Sequence, residues 1–418
     1  MIGTPGQFDL VVLGTTQVAR QTAEAAQGCG LKTKQINRSC EASAFLADPI
    51  LAESEETVWS VIPAPGVGFR VDVIGGDGAK SFLTQRIAAE AVPIEIVVPF
   101  PGWALGGVMA LGEGVRLVNR GKSARAILAG RGDAFWSGIA SCLASGAVPT
   151  AVVCVDGGGA SNDQVESTVR AELSGRHIPV YDDYRIIEAV GTDSVEGTLI
   201  APNGTTWATP RALEADVIFV HDGLTWRDEI PRLLGAQMSF LSSGDGEAAT
   251  CDAFGRTTVS GLYSIPREES RACALGTQVA KDAAEGTHWV TSNEFGAGDG
   301  DRLDVAKQPV WASELSDLPP DLQVCRFEPQ TVGDLRKAID AGAQDMNQLK
   351  QFTRMGMGVC QGRPCEEITA RLMAQHLSVC RSDVGRWTMR PPLEMVDLST
   401  LAGTFDYADI PIPRPAPL

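Results

Sequence analysis

Apolar residues cluster in short blocks along the chain, and the spacing inside the blocks alternates between strand-like and helix-like. Phe8-Asp9-Leu10-Val11-Val12-Leu13 is a largely apolar run that stops at Gly14, and residues 17–28 continue with alanine-rich positions at helical spacing. A second strand is predicted over 32–36, which makes a βαβ opening. The same pattern returns over 124–156: a strand at Ala126-Ile127-Leu128-Ala129, a turn at Gly130-Arg131-Gly132, a helix through Ser145 and a strand over 151–155. Two dinucleotide-fold units are therefore expected, one inserted in the other. Strands over 57–62 and 69–73 predict a small antiparallel piece between them, and another strand is expected over 194–200. Beyond Pro320 the texture changes to two predicted helices, 331–342 and 365–377, flanking a loop of glycines and cysteines. The proline-rich tail, 411–417, can form neither a helix nor a central strand and is expected as an extended arm or a disordered end.

Length changes this picture little, because 418 residues exceed what one core usually supports and two or three domains are anticipated. Sparse aromatics, 6%, with 45 glycines suit α/β units rich in tight strand-to-helix turns. The formal charge of -17, without any basic run, argues against a nucleic-acid partner. The apolar stretch 91–112 is broken by Pro93, Glu95, Pro99 and Pro101, so no transmembrane helix and no membrane partner are expected. Met1 to Phe8 has no basic segment leading into an apolar core, so no signal peptide is expected and the chain is placed in the cytoplasm. Ten cysteines scattered over such a chain are expected mostly as reduced core residues rather than a disulfide framework. His177, His221, His288 and His376 fall in no metal or nucleophile spacing, and no hydrolase elbow or P-loop is present.

A dinucleotide turn uses glycines for the tight turn and for close approach to pyrophosphate, and an acid at the end of the second strand for a ribose hydroxyl. The first turn reads Gly14-Thr15-Thr16-Gln17-Val18-Ala19. Gly14 is retained, Thr16 adds a side chain at the second glycine place, Ala19 is an acceptable third member, and the ribose position falls at Asn37. The second turn keeps Gly130 and Gly132, with Asp156 at the ribose place; Asp133 at the helix start and Phe135 at the third glycine place oppose a phosphate. A nucleotide at this second site and a fold kept only for packing both remain open.

The stretch Pro99-Phe100-Pro101-Gly102-Trp103-Ala104-Leu105-Gly106-Gly107-Val108-Met109 resembles a motif of the larger flavin subunits of hydrogen cyanide synthase, opine oxidases and hydroxyproline or proline dehydrogenases. Leu128-Ala129-Gly130-Arg131-Gly132, Asp252-Ala253-Phe254-Gly255-Arg256-Thr257-Thr258 with Gly261-Leu262-Tyr263, and the C-terminal cysteine loop extend the resemblance over nearly the whole chain. It implies an α/β fold with two dinucleotide-binding (Rossmann-like, FAD/NAD(P)-type) domains and a small helical C-terminal iron-sulfur-type domain. The expected division is 1–115 with 245–318 for the FAD-type fold, 116–244 for the NAD(P)-type fold, 319–380 for the cysteine-loop domain and 381–418 for the arm.

Departures from the family pattern fall at the flavin contacts. Glu90-Ala91-Val92 stands where the family has Ala-Thr-Gly, and Pro266-Arg267 stands where it has Gly-Asp, so an acid has become a base that could meet a phosphate as a new ligand. Loss of FAD from the first site is the expectation. The loop Thr353-Arg354-Met355-Gly356-Met357-Gly358-Val359-Cys360-Gln361-Gly362-Arg363-Pro364-Cys365 resembles the 2Fe-2S loop of bacterioferritin-associated-ferredoxin-like domains, which pair it with Cys-x-Cys; here that pair reads Cys325-Arg326-Phe327. Cys325, Cys360 and Cys365 would need a fourth donor from Cys380, His376, a partner chain or solvent to hold a cluster; zinc and no metal are the alternatives.

The expectation is thus a non-catalytic or accessory subunit of a heteromeric FAD-dependent amine or amino-acid oxidoreductase. Its partner would be a smaller, glycine-oxidase-like catalytic flavoprotein, which the chain scaffolds and to which it relays electrons. An active FAD- or NAD(P)-dependent oxidoreductase and a regulatory nucleotide- or metal-binding module are the alternatives.

Overall fold

The computed structural model describes residues 6–36, 56–76, 78–119, 124–156, 164–204, 209–240, 246–266, 269–287, 315, 318–393, 396 and 398–402. The tail 411–417 lies outside them.

Chain order begins β1 (Gly6–Leu13), α1 (Gln17–Gly28), β2 (Thr33–Ile36), β3 (Thr57–Ala64), β4 (Gly68–Gly75), β5 (Gly78–Ala89) and β6 (Val92–Ile96). Its sheet runs β2-β1-β5-β4-β3. Strand β5 has two uses. Its first part pairs antiparallel with β4, and its last residues, Ile87–Ala89, lie parallel to both β1 and a later strand. Apolar side chains Val11, Leu13, Val61, Val71 and Ile87 fill one face, while Leu10, Val12 and Ala88 pack on α1 across the other.

The second unit comprises β7 (Val108–Ala110), α2 (Leu111–Asn119), β8 (Ala126–Gly130), α3 (Gly132–Ala144), β9 (Ala151–Cys154), α4 (Gln164–Gly175) and β10 (Val180–Asp182). An antiparallel sheet of β11 (Tyr184–Gly191), β12 (Val195–Pro202) and β13 (Arg211–Glu214) interrupts it before β14 (Val217–His221) completes an all-parallel β10-β9-β8-β14-β7 sheet. β8 and β9 are buried throughout, which explains their unalternating apolar sequences.

The chain then returns through β15 (Gly223–Arg227), α5 (Glu229–Leu233), β16 (Met238–Phe240), β17 (Glu247–Ala249), β18 (Leu262–Ser264) and α6 (Glu269–Ala284). β18 is the later strand beside β5. α6 lies against α1 closely enough that a Cβ on Gly276 would run into the Thr22 carbonyl; the small residues Ala26 and Ala272 line the same seam.

Three helices form the C-terminal module: α7 (Val332–Asp340), α8 (Met346–Thr353) and α9 (Glu366–Leu377). Thr331 and Asp334 make a reciprocal capping box at the start of α7, and Asp345 caps α8. α9 is buried from Glu366 to Ala374 and acts as the module's axis. After it the chain crosses back to the first sheet, where the Leu393 N–H donates to the Trp59 carbonyl at 2.6 Å, and ends its described course in α10 (Leu398–Ala402).

Candidate functional site: two dinucleotide turns and a cysteine loop

At the first turn, the Gly14 N–H donates to Ile36 O, and Thr16, in extended conformation, precedes α1. Two backbone donors and one hydroxyl of this turn are engaged by a single side chain. Glu90, one residue past β5, accepts the Thr15 N–H at 2.9 Å and the Thr16 N–H at 3.3 Å on Oε2, and the Thr16 hydroxyl donates to Oε1. Gly14 and Ala19 lie in this turn, where a Cβ on Gly14 would come 2.6 Å from both the Ala19 Cβ and Glu90 Oε2. Asn37 and Arg267 lie outside the described residues. A dinucleotide pyrophosphate requires the same N–H groups and carries the same sign of charge as Glu90. The residues present therefore do not fit an FAD pyrophosphate in this turn. Sequence reasoning marked 90–92 as a departure for its lost glycine; the residue that fills the turn is Glu90.

The second turn is built differently. A Cβ on Gly130 would run into the His221 carbonyl, and the Arg131 N–H donates to that same oxygen at 3.0 Å. Phe135, at the third glycine place, is fully buried in the core of this unit. Gly132 takes φ +78°, a left-handed value that favours glycine, and the space beside it is open. Its N–H donates to Asp156 Oδ2 at 3.0 Å, so Asp156 turns back onto the turn, while its Oδ1 lies 3.1 Å from the Cys154 thiol. Burial, then the Asp156 carboxylate, pushes the Cys154 thiol up to about 12, which makes it inert. Behind the turn His221 is not isolated: Nδ1 lies 2.6 Å from Glu95 Oε1, both side chains being buried, and Glu95 Oε2 accepts the Gly112 N–H.

The cysteine loop brings some of the expected ligands together and not others. Cys325 and Cys365 are buried, Cys360 is half-buried and Cys380 is exposed. Hydrogen bonding from the Cys365 thiol, helped against burial by the N–H groups of Glu328, Phe327 and Gly356, lowers the Cys325 thiol to about 6; the donor role and burial push Cys365 up. Cys380 lies beyond the end of α9 with its N–H on Asp383 Oδ2, and His376 is engaged by Asp340 at 2.8 Å. Among the described residues no group of three or more His, Cys, Asp or Glu side chains is arranged to hold a metal ion. Of the expected ligands, Cys325 and Cys365 form a hydrogen-bonded pair, the charge of Cys360 acts on Cys365, and Cys380 stands exposed. Phe327, at the second ligand place, lies against Gly358, where an added Cβ would be 2.7 Å from its own. The loop keeps its shape through Trp387, whose ring covers Gly356 and Gly362 and whose Nε1 donates to Met346 O at 2.9 Å.

The proline motif serves as a joint. The buried Trp103 indole donates to Gln323 O at 2.6 Å, the Arg326 guanidinium stacks 4.8 Å from its ring, and Arg326 also donates to the carbonyls of Trp103 and Val108. A second joint is ionic. Arg386 reaches Glu366 (3.0 Å), Glu367 (3.4 Å) and Glu247 (3.3 Å); Arg227 reaches Glu229 and Glu366; and Arg363 reaches Glu229. These groups tie α9 to β15, α5 and β17. Against the upward push of burial, the guanidinium groups of Arg227, Arg386, Arg232 and Arg381 hold the Glu366 carboxyl at about 2.

One mixed sheet and one all-parallel sheet, each sending a helix from the carboxyl end of a strand, define a mixed α/β protein of Rossmann-like build. In accord with that class, the crystal structure of L-proline dehydrogenase from P. horikoshii superposes with a TM-score of 0.61 at 16% identity, over 95% of this chain and 79% of that one, a likeness of fold. The chain is homologous to an opine oxidase subunit of Agrobacterium tumefaciens (strain Ach5), 26% identical over 413 residues that cover 86% of this chain and 78% of that protein. It is likewise homologous to hydrogen cyanide synthase subunit HcnB of Pseudomonas aeruginosa, 26% identical over 386 residues, 78% of this chain and 80% of that protein. Residues 324–404 match the family described as the sarcosine oxidase A3 domain. Among the described residues no helix is long and apolar enough to cross a membrane.

Proposed function

We propose that this chain is an accessory subunit of a heteromeric FAD-dependent amine or amino-acid oxidoreductase, whose working flavin resides in a smaller, glycine-oxidase-like partner. The observation that carries this proposal is the chain-long kinship to two proteins that are themselves named as subunits, in a body whose modules are still clamped together by the Arg386–Glu366 network. Supporting it, the flavin and cluster contacts of the resembled family are replaced by Glu90, Arg267 and Phe327 while the joints through Trp103 and Arg386 are intact. In this role the FAD-type fold (1–115 with 245–318), the NAD(P)-type fold (116–244) and the cysteine-loop domain (319–380) shape and stabilise the partner's surroundings, and the arm (381–418) braces them.

The test is an absorption spectrum of the chain purified alone and together with the partner. Flavin is expected at stoichiometry only in the complex, with amine oxidation confined to it. Near-stoichiometric flavin and oxidation of amines by the isolated chain would overturn the proposal. A nucleotide at the second unit is a second reading, favoured by the open space at Gly132; equilibrium dialysis of the chain against NAD(P) and ADP checks it.

A further inference from the structure

Helix α1 has no acidic residue in its first turn, and the side chain of its cap residue, Thr16, makes no bond to the helix. Both gaps have one cause. A carboxylate 75 residues downstream of Thr15, on Glu90, takes the two N–H groups of the turn and the Thr16 hydroxyl. The Glu90 backbone is fixed for this by its own N–H, which donates to Leu13 O at 2.9 Å and extends the β1–β5 register by one residue. Gly14 is what lets the carboxylate in, since a side chain there would lie 2.6 Å from Glu90 Oε2 and 3.0 Å from Glu90 Cβ. Exposed N–H groups at a helix start, reinforced by the helix dipole, attract an anion, and a carboxylate satisfies that demand as a phosphate does.

We propose that Glu90 is the resident anion of the first dinucleotide turn, occupying the place of a pyrophosphate, and that the turn accepts an external pyrophosphate-type ligand only once this carboxylate is removed. The glycine at position 14 makes room for the Glu90 carboxylate as well as for Ala19. The assignment concerns this turn alone and does not rest on the subunit role.

The experiment uses the full chain as wild type, Glu90→Ala and Glu90→Gln. Alanine is the residue that the resembled family places at this position. Thermal melting is followed with rising inorganic pyrophosphate, with sodium chloride at matched ionic strength as control. Wild type should melt at the same temperature throughout. Glu90→Ala should melt several degrees lower and recover in a saturable manner with pyrophosphate. Glu90→Gln, which keeps the volume and loses the charge, should melt lower and stay unresponsive. A folded Glu90→Ala chain that melts like wild type, or that ignores pyrophosphate, would overturn the assignment, as would a saturable pyrophosphate response in wild type. Should Glu90→Ala fail to fold, an unchanged melting temperature in Glu90→Gln would overturn it by itself.

Discussion

The two dinucleotide turns began from the same βαβ pattern and meet an internal carboxylate in different ways. In the first, the acid comes from the neighbouring strand β5, is partly buried, and takes three donors at once. In the second, the acid follows the unit's own strand β9, is exposed, and takes one N–H beside an open glycine. An acid delivered from a neighbouring strand closes a turn, whereas an acid at the end of the turn's own second strand only leans on it. The two units also meet the C-terminal module differently. The ionic network reaches it from β15, α5 and β17, which lead back into the first unit, whereas the second unit meets it through Trp103 and Arg326.

The largest effect should come from the ionic tie. Arg386→Ala removes the buried guanidinium that Glu366, Glu367 and Glu247 share and is expected to cost about 3–5 kcal/mol, read by denaturant unfolding. Hydrogen exchange should rise in the first unit and the C-terminal module while the sheet around β8 keeps its protection; equal loss in both units would break the comparison. Next, Glu90→Ala should cost about 1–3 kcal/mol, the order expected when buried donors lose their acceptor. Asp156→Ala, at an exposed contact, should stay within about 0.5 kcal/mol, and a cost equal to that of Glu90→Ala would erase the distinction drawn between the turns.

Acid provides a graded version of the first test. The folded Glu366 carboxyl is held at about 2, below its ordinary 4.5, so its contribution is full above 4.5 and is lost as pH falls from there toward about 2. Melting curves between pH 5 and 3 should fall less steeply in Glu366→Gln than in wild type; identical slopes would show that this carboxylate is not the acid-sensitive tie. The smallest effect is expected at Cys380→Ser, within about 0.5 kcal/mol, with the metal content of the chain unchanged by elemental analysis.

Much of the scaffold was legible in the chain's periodicity. The helix expected over 17–28 is α1 residue for residue, and the strand, turn and helix from Ala126 onward appear within a residue or two, because a glycine turn between an apolar run and an alanine-rich face leaves few alternatives. The chemistry of the first turn was not legible. Nothing local to Glu90 marks it as a ligand; its role follows from the β1–β5 register, which places residue 90 beside residue 14. At the cysteine loop, spacing identified three thiols, but that Cys325 and Cys365 meet in a hydrogen bond follows from the folded course of the chain and not from spacing. The Arg386–Glu366 tie joins charges 20 residues apart on different turns of chain and leaves no periodic signature.

A turn that carries its own anion is finished as soon as the chain has collapsed. With Glu90 in place, closing this corner asks for nothing beyond the chain's own synthesis and folding.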